Sequence, residues 1–372
     1  MEDHIMKRFL LVILALMILV LSACSVKDAA RTYVIEPSEE VEQEPEIALA
    51  LCMPYIDAPE LRPVQLGFIE QCEAQGIEDF VIIGARDDEQ LNVFKAALDW
   101  AKSVEGKRAG MILWNSDHNS DELCLELKEM GVYVGIPHFQ IFKEDDPKLG
   151  IVDGVNFEYS VRYEDIAVCA AELLAEHADG KKGTILVGFT VNFDETANFI
   201  EEYLNNMKEW EIHDLDEVKV IQANCGLFVD KEGDEARFDA ACEVIKQFPD
   251  VIGTYNMFEN DIELGTRALN AMGREDVFSI YWQNSDDSYK QCEKADGVML
   301  FANRLYDEGT MGVKKLTMLI DGGEVPVFEY LDFYRMDNDK NADALKEYAA
   351  LMERVDAKSD EFYEGYFGEF VY

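Results

Sequence analysis

Ile47-Ala48-Leu49-Ala50-Leu51-Cys52-Met53-Pro54-Tyr55-Ile56-Asp57-Ala58-Pro59-Glu60-Leu61-Arg62-Pro63-Val64-Gln65-Leu66-Gly67-Phe68-Ile69-Glu70-Gln71-Cys72-Glu73-Ala74-Gln75-Gly76 is the stretch that decides the fold. It begins with an apolar run, Ile47 to Met53, that has no polar alternation, as in a strand buried on both faces of a parallel sheet. Leu61, Val64, Phe68 and Cys72 then recur three or four residues apart, which places them on one face of a helix. Gly76 stands where a helix C-cap would. A strand feeding a helix of this length is one βα unit.

The same unit repeats outward along the chain. Further apolar runs lie at Phe80–Ala85, Gly110–Asn115, Val132–Phe139, Gly154–Ser160, Thr184–Phe189, Val218–Asn224, Val251–Tyr255, Val277–Trp282 and Val298–Asn303. Helical spacings such as Leu91, Phe94, Leu98 and Ala101 fall between them. So many βα units exceed one sheet of ordinary size, so an α/β protein of two doubly wound, Rossmann-like lobes is expected. In such sheets ligands bind beyond the carboxyl ends of the strands, which makes the strand-to-helix loops the place to search.

Composition narrows the partners. The 372 residues carry 33 Lys and Arg against 76 Asp and Glu, a formal net charge of −43. That charge repels nucleic acid and anionic headgroups, and because the acids are spread along the whole chain they read as a solvated surface. No nucleic-acid partner is expected.

Residues 1–23 have the order of a signal peptide: Lys7-Arg8, an apolar run from Phe9 to Leu21, then Ser22-Ala23 before Cys24. The apolar run is shorter than the roughly 20 residues that span a bilayer. Leu21-Ser22-Ala23-Cys24 resembles the bacterial lipobox, which implies a lipid on Cys24 and an extracytoplasmic protein held to the outer face of the cytoplasmic membrane by that lipid alone. Residues 24–46, with Pro37, Pro45 and Glu39-Glu40-Val41-Glu42-Gln43-Glu44, read as an acidic tether. The remaining cysteines, Cys52, Cys72, Cys124, Cys169, Cys225, Cys242 and Cys292, are odd in number and irregularly spaced. They indicate neither a disulfide framework nor a zinc site.

From Ile47 to Tyr334 the order of segments resembles the type I periplasmic-binding-protein family, the ribose- and galactose-binding group. The resemblance rests on the opening strand, loop and helix with Leu66-Gly67-Phe68, and on Leu113-Trp114-Asn115-Ser116 at the end of the third strand. It continues through Ala170-Ala171-Glu172-Leu173-Leu174 after the crossing at Val161, and through Phe248-Pro249-Asp250-Val251-Ile252-Gly253-Thr254 and Leu264-Gly265-Thr266-Arg267-Ala268-Leu269. It ends at Asn303-Arg304-Leu305-Tyr306 with Gly309. It implies lobe 1 from 47–160 plus 304–331, lobe 2 from 161–303 plus 332–340, and a hinge of three crossings near Ser160–Arg162, Asn303–Arg304 and Leu331–Phe333. Residues 341–372 extend beyond it as a helical and aromatic tail.

The pocket departs from the family pattern. Ala58-Pro59-Glu60-Leu61 replaces the sugar-stacking aromatic pair of the first loop, His138-Phe139 stands in place of Asp-Arg, Phe193 or Glu195 in place of an arginine, Glu259-Asn260 in place of Asn-Asp, and Tyr281-Trp282-Gln283 in place of Gly-Phe-Asp. Binding a polyol needs flat apolar faces and planar hydrogen-bonding groups. The candidate ligand residues are therefore Tyr55, Asp57, Asn115, His138, Phe139, Arg162, Glu195, Glu259, Trp282, Gln283 and Asn303, with Trp114 as a further face. Asn115 and Asn303 match the amide type of the family pocket. Asp57, Asp87, Glu195 and Glu259 also suit an amine or amino sugar, since buried carboxylates want a cationic partner.

The resemblance implies a monomeric binding protein that captures a small polar solute, most of all a sugar, and passes it to the transmembrane subunits of an ABC import permease. A sensory module that presents the solute to a membrane receptor kinase is the alternative. No G-x-S-x-G, P-loop or G-x-G-x-x-G occurs, so nothing argues for an enzyme or a nucleotide cofactor, and no ligand spacing argues for a metal.

Overall fold

The computed structural model describes residues 46–86, 90–114, 121–138, 143, 147–188, 194–222, 233–257, 262–284 and 287–372. Cys24, Asn115, Phe139 and Glu259 lie outside them. Two sheets form within one compact unit. The first contains β1 (Ile47–Met53), β2 (Asp79–Gly84), β3 (Arg108–Leu113), β4 (Val132–Pro137), β5 (Phe157–Val161), β11 (Phe328–Leu331) and β13 (Phe367–Val371). Its order is β11-β5-β4-β3-β1-β2-β13, and every pairing is parallel. The second contains β6 (Gly183–Val187), β7 (Val218–Gln222), β8 (Val251–Met257), β9 (Phe278–Trp282), β10 (Val298–Asn303) and β12 (Phe333–Met336) in the order β12-β10-β9-β8-β6-β7. Only β12 runs antiparallel to its neighbour.

Burial explains why the central strands read as unbroken apolar runs. Ala48 through Met53 are fully buried, because helices cover both faces of each sheet. On the first sheet, α1 (Arg62–Ala74) and α9 (Leu305–Ile320) cover one face, and α2 (Gln90–Ser103) with α3 (Asp121–Glu129) the other. On the second, α4 (Tyr163–Ala178) and α5 (Asp194–Glu209) cover one face. Opposite them lie α6 (Asp234–Gln247), α7 (Ile262–Ala271) and α8 (Ser288–Lys294).

The chain passes between the sheets at Val161–Arg162, at Asn303–Arg304 and between β11 and β12. Helix α10 (Ala342–Asp356) adds a further tie. Its Leu345, Tyr348 and Met352 pack in the core of the second sheet, whereas Val355 packs in that of the first. Arg354 also bonds Glu70 of α1 at 2.6 Å. After α11 (Asp360–Glu364) the tail becomes β13, whose neighbouring peptides bond β2: the Ile82 amide donates to Tyr366 at 2.9 Å and the Tyr372 amide to Gly84 at 3.1 Å. The aromatic end of the chain thereby covers an edge that β2 would otherwise present to solvent.

Buried cysteines behave as small apolar residues here. Burial pushes the Cys52 and Cys292 thiols up to about 12 and that of Cys72 further still. Because the thiolate is the nucleophile, iodoacetamide at about pH 8 should spare these three in the folded protein and label them in urea. Labelling of Cys52 in the native state would contradict a closed core around β1.

Candidate functional site

The carboxyl ends of the first sheet gather polar groups that the strands deliver in register. After β1 the chain turns through Pro54 and Tyr55. Its Ile56 amide bonds Ala85 at 3.0 Å, which ties this loop to the end of β2. Buried Gln65 holds the loop from beneath, donating to the Ile56 carbonyl at 2.9 Å and accepting from Arg62 at 2.7 Å. Asp57 is ion-paired with Arg86, and Tyr55 is 39% exposed.

The ends of β3 and β4 carry Trp114 and His138, with rings 4.6 Å apart and 24° from parallel. His138 has φ 71, a left-handed conformation uncommon outside glycine that clusters at ligand sites. It is held there by its amide bond to the Tyr159 carbonyl at 2.9 Å and by Nδ1, which lies 3.2 Å from Glu308 Oε1. Glu308, in the first turn of α9, is fully buried. Its carbonyl accepts from the Tyr159 hydroxyl at 2.8 Å, and its Oε2 has no hydrogen-bond partner among the described residues.

The second sheet contributes a network of amides. Trp282 Nε1 donates to Asn303 Oδ1 at 3.1 Å. Asn284 and Asn303 are reciprocally bonded: Asn284 Nδ2 donates to the Asn303 carbonyl at 3.0 Å, and the Asn303 amide to Asn284 Oδ1 at 3.1 Å. Gln283 is buried beside them. Tyr163, at the start of α4, meets Trp282 edge-on at 5.4 Å. Burial first, and then the charge of Glu308, push the hydroxyls of both Tyr159 and Tyr163 upward. The Glu308 carboxylate thus acts on a tyrosine from each side of the hinge.

Of the candidates, Trp282 and Asn303 are bonded at the carboxyl ends of β9 and β10, Gln283 follows Trp282, and His138 stands at the end of β4. Tyr55 and Asp57 stand at the end of β1. Arg162 leads into α4 with its guanidinium engaged by Glu164 and by Asp165 at 3.7 Å, 5.5 Å from the Tyr330 ring. Glu195 lies in the first turn of α5. Glu308 and Asn284 were not among the candidates. Glu308 did leave a signal: it falls on the stripe Leu305, Gly309, Gly312, Val313 and Leu316, the buried face of an otherwise amphipathic helix.

A cavity of about 510 Å³ lies between α4, β12 and α10, lined by Glu172, Arg304, Asp332, Tyr334, Arg335 and Glu347 among others. Its guanidiniums are already committed, Arg335 to Asp332 at 3.4 Å and Arg304 to Asp307 at 3.4 Å. The strand ends, where unsatisfied and strained groups converge, are the better candidate.

An Asn303→Ala variant removes the acceptor for buried Trp282 Nε1, so a loss of about 1–3 kcal/mol is expected. Urea unfolding checks it, and an unchanged midpoint would show that the bond contributes nothing.

No protein-family model matches this sequence, and no curated protein matches it. Solved structures do match in three dimensions. GanP, a glucose-galactose binding protein from Geobacillus stearothermophilus, gives a TM-score of 0.60 at 15% identity, over 81% of this chain and 100% of its own. AraP, an arabinose binding protein from the same organism, gives 0.62 at 13% identity over 82% and 99%. A carbohydrate transporter solute binding protein from Agrobacterium radiobacter, in complex with D-arabinose, gives 0.61 at 12% over 84% and 99%.

Proposed function

We propose, from a fold that is that of the type I periplasmic binding proteins, that this chain is a binding protein rather than an enzyme and captures a small sugar between its two lobes. The observation that carries the proposal is that Glu308, which holds His138 beside Trp114 on the first sheet, also acts on Tyr163, whose ring packs edge-on against Trp282, the partner of Asn303 on the second sheet. Rings supply faces for sugar C–H groups, and amides and imidazole supply paired donors and acceptors. Tyr55, Asp57, Arg162 and Gln283, with Asn115, Phe139, Glu195 and Glu259, complete the proposed ligand set.

A ligand touching both lobes favours the closed state by its differential affinity, and one touching a single lobe does not. The closed form is then what an ABC import permease receives. On this reading the work is done outside the cytoplasmic membrane by a protein held on a lipid at Cys24; mass spectrometry of the mature N-terminus should find a diacylglyceryl cysteine at position 24. Native mass spectrometry of gently purified protein tests the capture itself. A co-purified sugar mass, lost on unfolding, is expected, whereas a bound peptide or nucleotide would contradict the reading.

A further inference from the structure

Glu308 combines three properties that a packing residue does not need. It is fully buried. Its Oε2 has no hydrogen-bond partner among the described residues, and the basic group within ion-pair distance of it there is an imidazole, that of His138, rather than Lys or Arg. A buried carboxylate without a fixed cation is costly, and such groups persist where something else compensates them. The arginines placed at the neighbouring strand ends are engaged elsewhere, Arg86 by Asp57, Arg162 by Glu164 and Asp165, and Arg304 by Asp307 at 3.4 Å. The fully buried carboxylate contacts His138, whose side chain is 14% exposed, so it reaches the proposed cleft through that imidazole.

When Glu308 is ionised its carboxylate can only accept, and the proton in the 3.2 Å contact is then the one on Nδ1 of His138. The stack on Trp114 fixes the plane of the ring, and the Glu308 contact fixes which nitrogen points inward. The field of the ionised carboxylate would then also act at the cleft floor, where attraction for a cation in a low-dielectric setting is far larger than in water.

We propose that Glu308 is the specificity-determining and positioning residue of this cleft: by orienting His138 and making the cleft floor negative, it selects a hydroxylated ring that carries an amino group. The inference rests on the sugar reading above and makes it sharper. The affinity order it sets is amino sugar above the parent neutral sugar, and the neutral sugar above the corresponding uronic acid. Glu308 works through His138 and through its field, without touching the ligand.

Calorimetry with matched sets tests it: the 2-amino-2-deoxy sugar, the parent hexose and the hexuronate of D-glucose, D-galactose and D-mannose. In the native protein the amino sugar of the binding set should be at least about tenfold tighter than its parent, with the uronate weakest. Glu308→Gln should bring the three to within about threefold of one another. In parallel, imidazole nitrogen spectra should show His138 protonated at Nδ1 in the native protein and altered in Glu308→Gln, a change that mere loosening of packing would not produce. If Glu308→Gln does not fold, the ranking in the native protein decides alone. A neutral sugar or uronate that binds as tightly as its amino counterpart overturns the inference and leaves the sugar reading standing, as does a ranking that survives in Glu308→Gln. Binding of no sugar overturns both.

Discussion

Gly309→Val should unfold the first lobe or leave it with a much lowered urea midpoint. A Cβ on Gly309 would lie 2.2 Å from the Val64 carbonyl oxygen and 2.6 Å from the Phe68 amide nitrogen, while one on Gly67 would lie 2.2 Å from the Tyr306 carbonyl oxygen. Helices α1 and α9 therefore meet backbone to backbone through facing glycines, and no rotamer change relieves the clash. Gly309→Ala, the smallest addition, is expected to cost about 3 kcal/mol, at the upper end of overpacking; valine should cost more. The displacement should also reach the candidate site, since Glu308 is the preceding residue and its contact with His138 depends on where α9 begins. A Gly309→Ala protein within about 0.5 kcal/mol of the parent would contradict the close crossing.

Tyr363→Ala should destabilise the protein by about 3–5 kcal/mol, as removal of a buried large aromatic does. Tyr363 is 1% exposed, packs in the core shared by α1 and α9, and bonds the Val355 carbonyl at 3.2 Å. Arg62, itself buried, lies 4.6 Å above its ring. Burial first pushes the hydroxyl up to about 12, so it remains a donor across the physiological range. Tyr363→Phe should then cost only about 1 kcal/mol, the net value of one hydrogen bond. The loss in Tyr363→Ala should extend to β13, because this residue anchors the segment that leads into it. Hydrogen exchange at the Ile82 amide, which donates to Tyr366, should accelerate with it. Exchange at Ile82 as slow as in the parent would show that β13 stays on β2 without its anchor.

The parts of the fold that were legible in the sequence are those whose burial is two-sided. β1 and β10 occupy Ile47–Met53 and Val298–Asn303, the bounds their apolar runs predict, because a central parallel strand has no solvent face to break the run. Edge strands lack that signature. β11 and β12 have four residues each, and β13, Phe-Gly-Glu-Phe-Val, interrupts its aromatics with Gly368 and Glu369. Its sequence showed an aromatic tail, while its pairing with β2 depends on tertiary contacts near Arg62 and Phe80.

The site was legible unevenly for the same reason. Trp282 and Asn303 end apolar runs, so strand position alone pointed to the carboxyl edge of a sheet. Glu308 lies inside a helix, where a single acid usually means a solvated face. Only the contact of α9 with β4 and β5 turns it inward toward His138 and Tyr159. Arg162 shows the converse, since a strand-end position did not reveal that its guanidinium would be engaged by Glu164 and Asp165.

The proposed function has a sugar held between the two sheets, at His138 and Asn303. Titration calorimetry of the protein against single sugars, repeated with His138→Ala and Asn303→Ala, tests it most directly. Saturable one-to-one binding of at least one sugar is expected, weakened about tenfold or more by each substitution. A sugar bound with equal affinity by the parent and both variants, or no sugar bound by the parent, would contradict it.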